Sequence, residues 1–390
     1  MDFDEVCRNK AVVTAVKLSR DSSHPLNASD NSGPMFPSII QKYDDQTNDE
    51  SEGIVVVVED RRAVVGDHPA VVSDRPAELD EKANNTMKLH IDVLNRQKVR
   101  KSVLRKACSE LFNIHPSRDR KLTKKALASM QHTLVIDKYR LLYCYVPKVG
   151  CTSWKQLFLV AYGIVDIKDR QKSMHKESNS AFKTPGQLEQ TEANKKLQDY
   201  TNFLFVRNPF SRLLSAYRQK MDGRNPQDRK QCPFCHSVTQ WFITTDPKYL
   251  KGRNKTQPYS FVEFVRFVIA QKTPNDHWTV QYELCHPCTV DYDFIGKYET
   301  VQEDAETFLR SATNDSSLKY PDTDPAKPIT DSSSDENMVK YYRTIPNDVF
   351  KSLIAFFYRD LRLFGYSIPD AIWRPQLRLS KLQVKLKELG

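Results

Sequence analysis

Residues 146–155 read Val-Pro-Lys-Val-Gly-Cys-Thr-Ser-Trp-Lys, with Lys148 just ahead of Gly150 and two hydroxyls, Thr152 and Ser153, just after it. A lysine and a glycine in a tight loop that runs into a helix can hold a phosphate. The helix N-terminus offers unpaired N–H groups and a partial positive charge, and the lysine and hydroxyls add a full charge and further donors. The loop differs from the Walker pattern, since Gly-x-x-x-x-Gly-Lys-Ser/Thr is absent. By itself the segment also suits an ordinary strand–turn–helix joint.

A second constellation lies in Phe203-Leu204-Phe205-Val206-Arg207-Asn208-Pro209, followed by Ser211-Arg212-Leu213-Leu214-Ser215-Ala216-Tyr217. Phe203 to Val206 form a buried-strand run, and Pro209 suits the first turn of the helix that follows. Arg207 stands at the strand end, and Ser215 lies on the helix. Together they are placed to hold a second phosphate; separately each reads as an ordinary surface arginine or helix-interior serine. Two histidines can exchange a proton near neutral pH: His175 between the two segments, and His277 in Asn275-Asp276-His277-Trp278. Either also suits a structural place.

The elements that must position these residues alternate. Residues 134–147 give a hairpin or two short strands, and 152–162 a helix. Residues 165–200 are polar, with a helix at 186–199. Residues 222–258 read as an irregular basic insert. Helices follow at 261–270, 301–312 and 348–360, a strand at 292–298, and a polar loop at 313–336. Strands alternating with helices imply an α/β fold, a parallel sheet with helices on both faces. Residues 1–90 are rich in Asp, Ser, Asn and Pro and read as a disordered tail or stem. The periodic, apolar part spans 91–370 and suits one large α/β domain, and 371–390 form a C-terminal tail. The longest N-terminal apolar run, Ile54 to Val58, is too short to span a membrane, and no signal peptide is visible.

Charge narrows the partner. There are 59 Lys and Arg against 49 Asp and Glu, a net charge of +10. That balance points to a polyanion, such as a nucleic acid, an anionic membrane or an acidic polysaccharide, or to a lysine-rich solvated surface. No nucleic-acid motif accompanies it. Eleven glycines and no Gly-x-Gly-x-x-Gly argue against a dinucleotide fingerprint. Eight cysteines include Cys232-x-x-Cys235 and Cys285-x-x-Cys288, a spacing compatible with a zinc site or, in a secreted chain, with disulfides. Sequons at Asn27, Asn84, Asn254 and Asn314 are compatible with a lumenal chain.

The loop at 146–155, the Arg207–Ser215 segment and the stretch Asn275 to Thr300 occur in the order found in Golgi carbohydrate 4-O-sulfotransferases, the group with chondroitin and dermatan 4-sulfotransferases, and the chain resembles that family from about Leu134 to Pro369. Two departures are Asn208, where the family usually has an acidic residue, and the Cys232–Cys235 insert. The resemblance implies a P-loop-like sulfotransferase fold. It also implies 3′-phosphoadenosine-5′-phosphosulfate as co-substrate without a metal, and an acidic polysaccharide or other glycan as acceptor rather than a nucleic acid.

On this reading, Lys148, Val149, Gly150, Cys151, Thr152, Ser153, Trp154 and Lys155 wrap the 5′ phosphosulfate, mostly through backbone N–H groups. Lys148 stabilises the leaving group, and Arg207 and Ser215 hold the 3′ phosphate. His175 falls where related glycosaminoglycan sulfotransferases carry a catalytic histidine, so it is expected to be the base, with His277 a substrate-site or structural residue. The secretory resemblance favours disulfides over zinc for Cys232, Cys235, Cys285 and Cys288, with the pairing open. It places the enzyme in the Golgi lumen as a type II membrane protein, although no anchor is visible in the chain. The alternatives are a P-loop-like kinase or NTPase, whose Mg²⁺-binding groups are not placed correctly, and a non-catalytic zinc-containing module that binds polyanions.

Overall fold

The computed structural model describes residues 77–166, 173–222, 234–246, 248, 258–270, 275–321 and 331–374, with burial and side chains given from residue 85 onward. The readings made for residues 1–76, and those for Cys232 and Asn254, lie outside the described residues.

The described strands make one sheet in the order β1 (Thr133–Ile136), β2 (Leu141–Cys144), β3 (Thr201–Val206), β4 (Phe294–Lys297). β1 is antiparallel to β2, and the other neighbours are parallel. β2 is apolar and buried at every position. That is the expected pattern for a parallel strand covered on both faces.

Successive side chains point to opposite faces. On one face Tyr143 stacks on Phe203, and Trp154 packs against both Phe203 and Phe205. Trp154 comes from α3 (Cys151–Ala161), and Phe308 on α10 (Val301–Ala312) closes the same cluster. Gly296 in β4 makes room for it, because a Cβ there would lie 2.1 Å from the Phe205 ring. On the other face Cys144 is disulfide-bonded to Cys285, at the end of the short helix α9 (Gln281–Cys285).

Between β2 and β3 the chain makes α3, α4 (Met174–Ala181) and α5 (Gln190–Asp199). After β3 comes α6 (Pro209–Lys220). Asn208 caps α6, its side chain accepting the Phe210 N–H at 3.1 Å. An amide serves there as well as a carboxylate, which explains the tolerated departure from an acidic residue. α11 (Asp335–Tyr342) and α12 (Asn347–Phe364) complete the C-terminal part, and Arg374 beyond them donates to the Tyr342 carbonyl at 2.7 Å.

One helix starts earlier than expected, and two were not read from the sequence. α1 (Ala77–Phe112) begins inside the stretch expected to be tail; its Gln97 and Arg100 donate to the Ile295 carbonyl of β4, at 3.1 and 2.9 Å. α4 lies in a polar stretch ahead of the helix expected at 186–199, and α7 (Cys235–Thr245) in the insert read as irregular. Cys285 and Cys288 are not bonded to each other. Cys288 joins Cys108 of α1, Cys285 joins Cys144, and Cys235 is disulfide-bonded as well. With those sulfurs in disulfides, the four-cysteine zinc alternative falls.

Candidate active site

The loop from Cys144 to α3 turns sharply. Lys148 has φ 71° and Gly150 φ 70°. Glycine is needed at the second turn for space as well as for φ, since a Cβ on Gly150 would meet the Tyr320 hydroxyl at 2.3 Å. The loop residues divide by what their N–H groups do. Val149 donates within the turn to Val146, and Trp154 donates to Gly150 inside the helix. Their side chains are buried, and Trp154 belongs to the aromatic core. The first turn of α3, at Cys151, Thr152 and Ser153, is the part that presents donors without intrahelical acceptors. The Cys151 thiol is buried, which pushes its ionisation up and leaves it a packing group rather than a nucleophile.

Lys148 points its ammonium at Gln219 of α6, 2.8 Å away. Burial, then repulsion from Arg207, Lys220 and Arg212, brings Lys148 down to about 8. Lys155, one turn into α3, is also buried rather than solvated. Its ammonium sits 3.6 Å from the Tyr145 ring centroid and 3.3 Å from His175 Nδ1, and burial brings it to about 8 as well. His175 Nε2 faces the Thr152 hydroxyl at 3.4 Å. α4, which the sequence did not show, is therefore what carries His175 onto the first turn of α3.

Arg207 is 4% exposed and lies across the loop from the sheet edge. Its Nη1 donates to the Lys148 carbonyl at 3.1 Å. Nε donates to Ser211 at 3.1 Å, and Nη2 to Ser332 and Ser333 at 2.9 and 2.8 Å. The Tyr298 ring lies 4.3 Å below the guanidinium. Ser215 is buried one turn beyond Ser211 on α6. The partner of Arg207 on that helix among the bonds described above is Ser211.

His277 joins this group through Arg212, a residue the sequence did not single out. Arg212 is 2% exposed and donates to the carbonyls of Pro147 (3.0 Å), Thr279 (2.7 Å) and Asp276 (2.7 Å). One side chain thus welds the Lys148 loop to the Asp276-His277 segment. Burial, then the charges of Lys220, Lys148 and Arg212, holds His277 at about 4, with Asp276 opposing. Asp276 itself faces His132, Oδ2 to Nε2 3.2 Å, and the His132 hydrogen bond helps hold its carboxyl below the usual range.

Gln281, 0% exposed, clamps the Arg207 peptide. It accepts the Arg207 N–H at 2.9 Å and donates to the Arg207 carbonyl at 2.8 Å. Asp360 of α12 in turn caps α9, accepting from the N–H groups of Gln281 and Tyr282 at 2.8 and 2.9 Å. Gln281, Asp360, Lys220, Ser332 and Ser333 carry no local sequence signal; only folding brings them to the Arg207 strand end. The assembled basin holds Lys148, Lys155, Arg207, Arg212 and Lys220 around a helix N-terminus, with Asp276 offsetting Lys155 and Arg212, Asp360 offsetting Arg212, and Glu299 offsetting Arg207. Such a set of groups can hold a multiply charged anion with an imidazole at its edge. No described group of His, Cys, Asp and Glu is arranged to hold a metal ion.

Comparison with known proteins agrees with this chemistry. Residues 131–367 match the description "Sulfotransferase family". The chain is 32% identical to carbohydrate sulfotransferase 14 of Danio rerio, over 70% of this chain and 72% of that protein. It is 32% identical to carbohydrate sulfotransferase 12 of Mus musculus, over 72% and 70%. With carbohydrate sulfotransferase 11 of Rattus norvegicus the identity is 34%, over 62% and 68%. No solved structure matches the chain.

Proposed function

The chain belongs to the sulfotransferase family, and from that premise we propose that it transfers a sulfonate group from 3′-phosphoadenosine-5′-phosphosulfate to the 4-hydroxyl of N-acetylgalactosamine in chondroitin- or dermatan-type chains. The observation that carries the donor reading is the bond from Arg207 Nη1 to the Lys148 carbonyl, 3.1 Å. It joins two segments that are 59 residues apart in sequence, each with cationic groups suited to an anion, into one basin.

The residues fit that donor. Lys148 and Lys155 are desolvated cations, and the first turn of α3 offers N–H groups. Bound there, the donor supplies a sulfonate on a phosphate leaving group. Lys148 neutralises charge that develops on the leaving oxygen, and the α3 N-terminus and Thr152 and Ser153 hold the neighbouring oxygens. Arg207 secures the other end, with Ser211 and Ser215 beside it on α6. His277 Nε2 takes the proton that the sugar hydroxyl loses as its oxygen bonds to sulfur and the sulfur–phosphate oxygen bond breaks. The scheme needs no metal.

An acidic polysaccharide, rather than a nucleic acid, is the partner for the +10 charge. Disulfides at Cys108–Cys288 and Cys144–Cys285 suit an oxidising lumen, and the Golgi is the compartment we assign. No described helix is long and apolar enough to cross a membrane. The test is to incubate the protein with radiolabelled donor and a panel of unsulfated polysaccharides, then digest the product to disaccharides. Label in 4-sulfated N-acetylgalactosamine is expected; label at another position, or none on any glycan, overturns the acceptor assignment.

A further inference from the structure

We propose that Ser333, backed by Ser332, is a ligand of the donor's 3′ phosphate and sets the preference for a nucleotide that carries this phosphate. The proposal rests on the donor reading above. Arg207 alone is a poor phosphate clamp in this fold. A guanidinium has five N–H donors, and four are used: Nε on Ser211, Nη1 on the Lys148 carbonyl, and Nη2 on Ser332 and Ser333. Tyr298 covers one face. The two-pronged arginine–phosphate bond that such sites usually make is therefore not on offer.

The serines change what Arg207 presents. A hydroxyl that accepts a hydrogen bond from a guanidinium keeps its own proton to donate, and the charge behind it makes that proton a stronger donor. Ser332 is 1% exposed and lies beneath, whereas Ser333 is exposed. Ser333 makes no other hydrogen bond among the described residues. Its proton is therefore available for a ligand, with its oxygen 2.8 Å from Nη2 of the buried Arg207.

The segment is also held in place. Asn337 donates to the Asp331 carbonyl and carboxylate at 3.0 and 2.8 Å, and Ser334 caps α11. Arg218 of α6 donates to the Asp331 carbonyl at 3.1 Å. The same helix carries Ser211, so both sets of hydroxyls move with one element.

The competing account is that the serines only satisfy a buried arginine, and the experiment separates the two. Binding of adenosine 3′,5′-bisphosphate and of adenosine 5′-phosphate is measured by calorimetry on the wild type, Ser333→Ala and Ser333→Thr. Ser333→Ala should weaken the bisphosphate roughly tenfold to a hundredfold, the scale of one hydrogen bond to a charged group, and change the monophosphate less than about twofold. Ser333→Thr should restore the preference. If Ser333→Ala leaves the ratio of the two affinities unchanged while the wild type favours the bisphosphate, the serine has only a structural place and the proposal fails. A wild type that does not distinguish the two nucleotides overturns the donor reading, and the proposal with it.

Discussion

The ammonium of Lys155 lies 3.3 Å from Nδ1 of His175. A charged lysine only donates, so Nδ1 bears the lone pair and the proton sits on Nε2, toward Thr152. The lone pair of His175 is already in use. His277 is arranged the other way. Asn275 Oδ1 accepts the His277 backbone N–H at 3.0 Å and faces its Nδ1 at 2.8 Å, so Nδ1 is the donor and Nε2 the base. The hydrogen bonds thus favour exchanging the two roles expected from the sequence. The cations that hold His277 neutral are the ones a bound anion would offset, so its basicity rises as the donor binds. His277→Ala should lower kcat by roughly a hundredfold or more, with nucleotide affinity nearly unchanged. His175→Ala should act mainly on nucleotide affinity, through Lys155. A dead but folded His175→Ala variant beside an active His277→Ala would restore the first assignment.

Lys148 predicts the alkaline limb of the pH profile. A cation whose pKa is lowered to about 8 is charged below that pH and neutral above it. In the free enzyme, kcat/KM should therefore fall about tenfold per pH unit above about 8. Lys148→Arg keeps its charge and should move the limb upward, and Lys148→Ala should lose roughly a hundredfold or more in kcat. A limb that stays in place in Lys148→Arg would point to Lys155, which sits at about 8 as well.

The strands, the helices Val301–Ala312 and Asn347–Phe364, and the strand–loop–helix joints that carry Lys148 and Arg207 were legible because their signals are local. Leu141 to Cys144 and Thr201 to Val206 are short apolar runs with a turn or a proline after them, and the helix expected at 301–312 is α10 to the residue. α4 was missed because Met174 and Ser178 are its buried residues, too few for an apolar stripe, and tertiary contact with the phosphate loop holds it. Lys155 illustrates the other limit. Nothing in its sequence neighbours separates a solvated helix lysine from one laid over Tyr145 and His175. Gln281 and Arg207 are 74 residues apart, and their two reciprocal bonds exist only after β3 and α9 meet.

Asp360 gives a pH-dependent stability with a definite sign. Burial is the leading cause that raises its carboxyl to about 6, against the hydrogen bonds from Gln281 and Tyr282. A folded-state pKa above the unfolded one means that the folded form binds the proton more readily. This contribution is full below about pH 4 and is lost as pH rises through about 6. The loss is on the order of 3 kcal/mol. Asp360→Asn should flatten that limb in melting temperatures measured from pH 4 to 7. A wild type and variant with parallel curves would show that Asp360 does not titrate in this window.

Cys144–Cys285 and Cys108–Cys288 should differ in what they protect. The first ties the end of β2, a few residues before Lys148, to α9, whose Gln281 holds Arg207. The second ties α1 to the chain after α9. Each closes a loop of well over a hundred residues in the unfolded chain, so each contributes up to about 5 kcal/mol in the chain-entropy account. Removing either pair as a double alanine substitution should lower the melting temperature. Cys144→Ala with Cys285→Ala should also weaken nucleotide binding, because the loop and the Arg207 clamp lose their common tether. Cys108→Ala with Cys288→Ala should leave nucleotide affinity close to wild type below its melting point. Equal losses of affinity in both double variants would mean that the disulfides act on the fold as a whole and that Cys144–Cys285 has no special hold on the site.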